Sequence, residues 1–412
     1  MKKLFLLSLL FITCNLTYGQ GKTDTISIGR SEQFFSKTLN EKRRILISLP
    51  GSYSDTYFYK RHYPVVYLLD GEAHFFSVTA MIKQMSEDGP RLLFPEMIVV
   101  AITNTDRNRD LTPTRDSTLV RMGRGADNHT GGGERFLSFL KDDLIPHIDS
   151  LYPTTPYRVF IGHSLGGLMV IHTLIHHPQV FDAYLAIDPS IWWNKALLLK
   201  QSQAILPTAN YHNRSLFLAG ANSLQNGLDT TTMLRDTISD FSQHMSAIFS
   251  MRNALASTSN HLHFGWKYYP EYGHNTVPLV AEYDGLRSIF DFYPLDFPFE
   301  DFPKPGFKGD TLLATHYDSI SQRMGYRVNP PETFVNNLGY MMMNGKQFDR
   351  AFYFFNLNLG NYPNSFNVYD SMGDLYLAKN DKKKAIEYFT RSLSLRENTD
   401  TRKKLEQLQK DK

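Results

Sequence analysis

Cysteine is almost absent. The 412-residue chain has one, Cys14, inside an N-terminal apolar stretch, so a disulfide framework, a thiolate metal site and a redox pair are all excluded as the basis of function. Charge of one sign is not in excess either: 44 Lys+Arg against 41 Asp+Glu leave a formal net charge of +3, which offers no basic face to a nucleic acid. The Lys382-Lys383-Lys384 run reads as a solvated turn and helix start. Long hydrophobic runs are missing too, and no window is long and apolar enough to span a bilayer. Leu4–Ile12 follows Met1-Lys2-Lys3 and precedes a small polar stretch, so residues 1–19 read as a secretory signal peptide and export to the periplasm or the exterior is expected. Lipid attachment at Cys14 is the lesser reading, because Phe11-Ile12-Thr13 ahead of it lacks the small residue such processing prefers.

What is present is an alternation of strands and helices from about Ile26 to Phe290. Strands are expected at Arg44–Leu49, Val65–Leu69, Met97–Ile102, Tyr157–Ile161, Ala183–Ile187, Ser215–Gly220 and Phe264–Tyr269. Val65–Leu69 is apolar throughout, as a strand covered on both faces must be. The alternation predicts an α/β domain over residues 25–295, a doubly wound and mostly parallel sheet whose site lies at the C-terminal strand ends. From 296 to 330 the chain turns to Pro, Phe and Asp and reads as an extended linker with aromatics pressed on its neighbours. In residues 331–412 Gly339, Ala351 and Phe355 recur as Gly373, Ala385 and Phe389, each 34 residues on, the period of tetratricopeptide helix pairs. Two copies and a last helix form a small all-α domain too short to stand alone, which is expected to dock on the first domain or on a protein partner.

The chemistry is carried by Gly162-His163-Ser164-Leu165-Gly166, set between a buried strand and an apolar helix. Such a turn lifts the serine hydroxyl into the open and puts the Leu165 amide at a helix N-terminus, where it can hold an oxyanion; Ser164 is the expected nucleophile. Serine needs a base, which in this turn's hydrolases follows the acid in the chain. His274, in the turn after the last predicted strand, fits; His172, His176 and His177 lie on the helix after the nucleophile, and His212, His244, His261 and His263 in polar or connecting stretches. Asp229 is the favoured acid, although it also suits a helix N-cap; Glu271, Asp188 and an acid-free Ser–His pair stay open. The second oxyanion donor is expected from the Asp70-Gly71-Glu72 turn, at the amide of Glu72 or Gly71. In the long polar loop Thr103–Gly133, Arg109 is a candidate for an acidic or phenolic substrate group, with pairing to Asp110 as the alternative. Ile191-Trp192-Trp193 holds two of the three tryptophans, with Trp193 as a candidate platform for a substrate ring or a part of the core edge.

Residues 25–295 resemble the putative-esterase family of α/β-hydrolases, which includes enterobactin-type siderophore esterases, S-formylglutathione hydrolases and some feruloyl esterases. The resemblance rests on Tyr67-Leu68-Leu69-Asp70-Gly71, Arg109-Asp110-Leu111-Thr112-Pro113-Thr114, Gly162 to Gly167, Pro189-Ser190-Ile191-Trp192-Trp193, and Tyr268-Tyr269-Pro270 through His274. It implies Ser164 and His274 as nucleophile and base. The chain departs from the family at His274-Asn275-Thr276, where His-Gly-Ser is frequent, and at Asp188, where a small polar residue is usual. The expected activity is hydrolysis of carboxylic esters of siderophore, feruloyl or acyl-sugar type through an acyl-enzyme, with no metal or organic cofactor. Acyl transfer from the same site, or a binding role through the repeats, are the competing functions.

Overall fold

The computed structural model describes residues 26–410 apart from 56–60, 87–91, 117–128, 224–239, 259 and 305. The expected signal peptide and Asp229 therefore lie outside the described residues.

Eight strands form one sheet: β1 (Arg30–Ser36), β2 (Glu41–Ser48), β3 (Tyr63–Leu68), β4 (Ile98–Ile102), β5 (Thr154–His163), β6 (Ala183–Ile187), β7 (Ser215–Ala221) and β8 (His263–Tyr269). Their order is β1-β2-β4-β3-β5-β6-β7-β8. The first two pairings are antiparallel and every pairing from β4 to β8 is parallel. β3, β4 and β6 are buried at every residue, which is why their sequences are uninterrupted apolar runs rather than alternations. β1 was not expected as a strand. It is an edge hairpin partner of sequence RSEQFFS with one fully buried residue, so it lacks the apolar signal of the centre.

Helices cover both faces. On one lie α1 (Gly71–Ser86) and, further along the chain, the helix Pro278–Ile289; on the other lie α2 (Gly133–Phe139), α3 (Ile145–Leu151), α4 (Leu165–His176), α5 (Trp193–Ile205) and α6 (Asp240–Ala256). We call Pro278–Ile289 α7. This is the α/β-hydrolase arrangement, and strand alternation sends odd residues such as Val65, Tyr67 and Leu69 to one core and Val66 and Leu68 to the other.

Residues 296–330 are not extended throughout. Phe297 and Phe302 are buried, and α8 (Gly309–Met324) follows, with Leu313, Tyr317, Ile320 and Met324 inward at helical spacing. Burying each phenylalanine is worth roughly 1.5–3 kcal/mol. Both belong to the same core as Ile289 and Phe290 on one side and Val335 and Leu338 on the other, so the C-terminal helices share a continuous core with the sheet domain. Those helices are α9 (Glu332–Asn344), α10 (Phe348–Asn361), α11 (Phe366–Ala378), α12 (Lys382–Leu395) and α13 (Thr399–Lys410). The 34-residue repeat has a steric meaning. A Cβ on Gly339 would lie 2.4 Å from the Phe355 ring, and one on Gly373 would lie 2.5 Å from the Phe389 ring, the same close helix crossing made twice.

Candidate active site

β5 ends at His163 and α4 begins at Leu165, which leaves Ser164 on the turn between them with φ +60° and ψ −116°. A Cβ on Gly162 would stand 2.5 Å from the Gly166 carbonyl, and one on Gly167 2.9 Å from Pro189, so the turn closes only with glycine there. Ser164 N–H donates to the Ile187 carbonyl (3.0 Å) and its own carbonyl accepts from Ser190 N–H (3.0 Å), tying the Ser164 turn to the end of β6.

His274 sits on the loop after β8. Its Nε2 is 3.1 Å from Ser164 Oγ and its Nδ1 is 2.6 Å from Asp188 Oδ2. A carboxylate only accepts, so Nδ1 carries the proton and Nε2 is left to accept from the serine hydroxyl. The His274 carbonyl is held by His163 Nε2–H at 2.9 Å. Burial, followed by the neighbouring His274 and His74, pushes His163 down to about 3, so it is a neutral donor.

Asp188 is fully buried at the end of β6, with φ +40°. Its Oδ1 accepts from Ala221 N–H at 2.8 Å; its Oδ2 accepts from His274 and also from His244 Nε2–H at 3.0 Å, with Ser223 Oγ at 3.4 Å. Burial works against the ionised carboxyl, yet the hydrogen bonds from His244 and His274 hold it well below the usual carboxylate range. The sequence had favoured Asp229, which lies outside the described residues, while Glu271 is exposed on its turn. Among the described residues, the carboxylate in contact with His274 is Asp188.

Leu165 opens α4 and Glu72 is the second residue of α1, so their N–H groups lack intrahelical acceptors. The turn before Glu72 is held rigidly. Asp70 has φ +52° and takes a bidentate hold from Arg107 (2.6 and 2.9 Å) and a bond from Asn104 Nδ2 (2.8 Å). Burial opposes the Asp70 charge, but Arg107 and Asn104 outweigh it and lower its pKa. A cleft of about 400 Å³ opens over Ser164 and His274, bordered by Asp70, Glu72, His74 and Arg107. A cleft of about 530 Å³ lies where the sheet domain meets the C-terminal helices, but no histidine lines it.

Two expected substrate contacts fall elsewhere. Arg109 is bound by both oxygens of Glu41 (2.7 and 3.0 Å) and by Asp110 (2.7 Å), so its fork is already occupied; Arg107 is the arginine at the cleft. Trp193 is buried, with its indole N–H on the Thr114 carbonyl at 3.0 Å, and it is a core residue rather than an exposed platform. In the sequence Arg107 stands beside Arg109 in one polar loop and His244 lies in a segment that no motif marks, so neither is singled out there.

Residues 36–275, more than half of the chain, match the family described as "Putative esterase". The chain is 32% identical over 219 residues to the ferri-bacillibactin esterase BesA of Bacillus subtilis, covering 50% of this chain and 74% of that protein. It is 29% identical over 201 residues to the siderophore triacetylfusarinine C esterase of Aspergillus fumigatus, covering 44% of this chain and 63% of that one. Among solved structures, the IroE-like serine hydrolase from Shewanella oneidensis is 30% identical with a TM-score of 0.67, over 81% of this chain and 99% of that one. An uncharacterised protein from Capnocytophaga ochracea, at 18% identity and TM-score 0.59, shares the fold over 92% of this chain. The chain belongs to this esterase family of α/β-hydrolases and is a carboxylic ester hydrolase.

Proposed function

We propose that the protein is an exported serine esterase that cleaves siderophore-type esters through a Ser164–His274–Asp188 triad. The observation that carries the reading is the chain of contacts from Ser164 Oγ through the His274 ring to Asp188, at 3.1 and 2.6 Å. Ser164 Oγ attacks the ester carbonyl carbon while its proton passes to His274 Nε2, and Asp188 stabilises the imidazolium that results. The Leu165 and Glu72 N–H groups take the oxyanion; a donor of this kind is worth about 10²–10³ in kcat. Collapse of the tetrahedral intermediate breaks the C–O bond as His274 gives its proton to the leaving alcohol. Water, deprotonated by the same histidine, then frees the acid from Ser164. Each step uses only protons and groups of this chain and water, so no metal or organic cofactor enters.

The siderophore assignment is supported by the relatives, which are named as esterases of ferri-bacillibactin and of triacetylfusarinine C. Feruloyl and acyl-sugar esters are the next substrates to try, and transfer to an acceptor alcohol would follow the same route if one displaced water. Export is supported by Leu4–Ile12 behind two lysines, and among the described residues no helix is long and apolar enough to cross a membrane. The C-terminal helix pairs are tetratricopeptide-like in this reading, supported by the Gly339/Phe355 and Gly373/Phe389 crossings. The test is nitrophenolate release from a short-chain p-nitrophenyl ester by the mature protein and by Ser164→Ala, followed by a panel of siderophore, feruloyl and acetyl-sugar esters. Release abolished in the variant supports the mechanism; equal release by both, or none from a folded protein that also fails to react with a fluorophosphonate, overturns it.

A further inference from the structure

Asp188 Oδ2 accepts from two imidazoles, and only one of them belongs to the triad. His244, on α6, is buried; its Nε2 is 3.0 Å from Asp188 Oδ2, and its ring meets the His274 ring edge-on at 5.5 Å between centroids. Its Nδ1 is buried with no partner among the described residues. A buried neutral histidine needs one good acceptor, and a purely structural one could take any backbone carbonyl. This one takes the same oxygen that orients the base.

We infer that His244 is a positioning residue for the esterase reaction: its Nε2–H fixes Asp188 Oδ2, the same oxygen that holds His274 Nδ1, and draws carboxylate charge away from His274. The inference rests on the Ser164–His274–Asp188 reading of the site. Two consequences follow from sharing one oxygen. The carboxylate cannot rotate toward solvent without giving up two charge-assisted bonds, so the His274 ring stays aimed at Ser164. A carboxylate already engaged by a second donor also presents less charge to His274 Nδ1–H. The edge-on ring contact limits how far His274 can tilt. The titratable groups around this cluster are Asp188 on the β6 turn, His274 and Glu271 on the β8 loop, Tyr268 on β8, whose pKa is raised by burial and then by Asp188 and Glu271, and His163 beyond His274.

The experiment compares wild type, His244→Leu and His244→Gln in two readouts: kcat and kcat/KM for a p-nitrophenyl ester across pH, and the NMR titration of the His274 ring. Leucine keeps bulk and removes the donor; glutamine restores an N–H. In His244→Leu the acid limb of kcat/KM and the His274 titration both move to higher pH. Its kcat falls about tenfold with KM little changed, and His244→Gln recovers most of both effects. An unmoved His274 titration in a folded His244→Leu, or a glutamine variant indistinguishable from leucine, overturns the inference. Absence of hydrolysis by the wild type is a failure of the esterase reading instead, and the His274 titration still decides whether His244 acts on Asp188 as described.

Discussion

Replacing Asp188 by asparagine tests which carboxylate completes the site. Asp188 is an acceptor at both oxygens, engaged by His274, His244, Ala221 N–H and Ser223 Oγ. Asparagine offers one acceptor oxygen and an NH₂ that must face one of these donors. With the oxygen kept toward Ala221 N–H, the NH₂ meets the two imidazoles at Oδ2. His274 then accepts at Nδ1 and carries its proton on Nε2, pointing at Ser164, and a protonated Nε2 cannot take the serine proton. The expected loss in kcat/KM is about 10³–10⁴, or ~4–5.5 kcal/mol at 1.36 kcal/mol per decade. The assay is p-nitrophenyl ester hydrolysis with Asp229→Asn as the comparator, each variant first checked for a cooperative melt. Asp229→Asn should stay within a few-fold of wild type. Retention of more than a tenth of the activity by Asp188→Asn, or a large loss in Asp229→Asn alone, would refute the assignment.

The two arginines of the polar loop should separate cleanly in kinetics. Arg107→Met frees Asp70 and the turn that carries the Glu72 amide, and kcat should drop by up to about 10²-fold with KM little altered. Arg109→Ala, which breaks the Glu41 and Asp110 contacts away from the cleft, should lower the melting temperature and leave KM alone; a KM effect in Arg109→Ala would contradict this division. Acid should destabilise the fold through buried neutral histidines. Burial holds His163 to about 3 and His172 to about 4, both below the unfolded value, so the unfolded chain takes up protons first as pH falls. The stability they contribute is full above about 6.5 and is lost towards their folded values, at most about 2 kcal/mol each between pH 7 and pH 5. Urea midpoints at the two pH values measure it, and His172→Gln should shrink the difference; equal midpoints for the wild type would refute the argument.

The centre of the sheet was legible because burial on both faces leaves a one-dimensional trace. β3, β4, β6 and β7 are short apolar runs, as strands covered on both faces must be. β1 leaves no such trace, since an edge strand with one face in water spreads its few apolar residues among charges. α8 was a different failure. Leu313, Tyr317, Ile320 and Met324 are spaced for a helix, but the Pro- and Phe-rich segment before them has the composition of a linker and masks that spacing. The tryptophans were ambiguous because two adjacent aromatics after a strand suit a core edge or a mouth equally. Only the partner of the indole N–H, the Thr114 carbonyl, decides it.

Chain order alone does not choose a carboxylate for His274, because both Asp188 and Asp229 follow a predicted strand and precede it. The sheet supplies what order lacks. β5 and β6 are adjacent and parallel, with His163 opposite Ile187, so the next residues, Ser164 and Asp188, leave neighbouring strands at the same level. β8 lies two strands beyond β6, and a histidine on its following loop must pass over β7 and β6 to reach Ser164. On that path Asp188 lies beneath the imidazole, facing Nδ1 while Nε2 faces the serine. A carboxylate at the end of β6 therefore needs no loop to deliver it. The adjacent β7 edge fixes it through Asp188 N–H on the Ala219 carbonyl and Ala221 N–H on Oδ1, so the Asp188 carboxylate is anchored by the sheet itself.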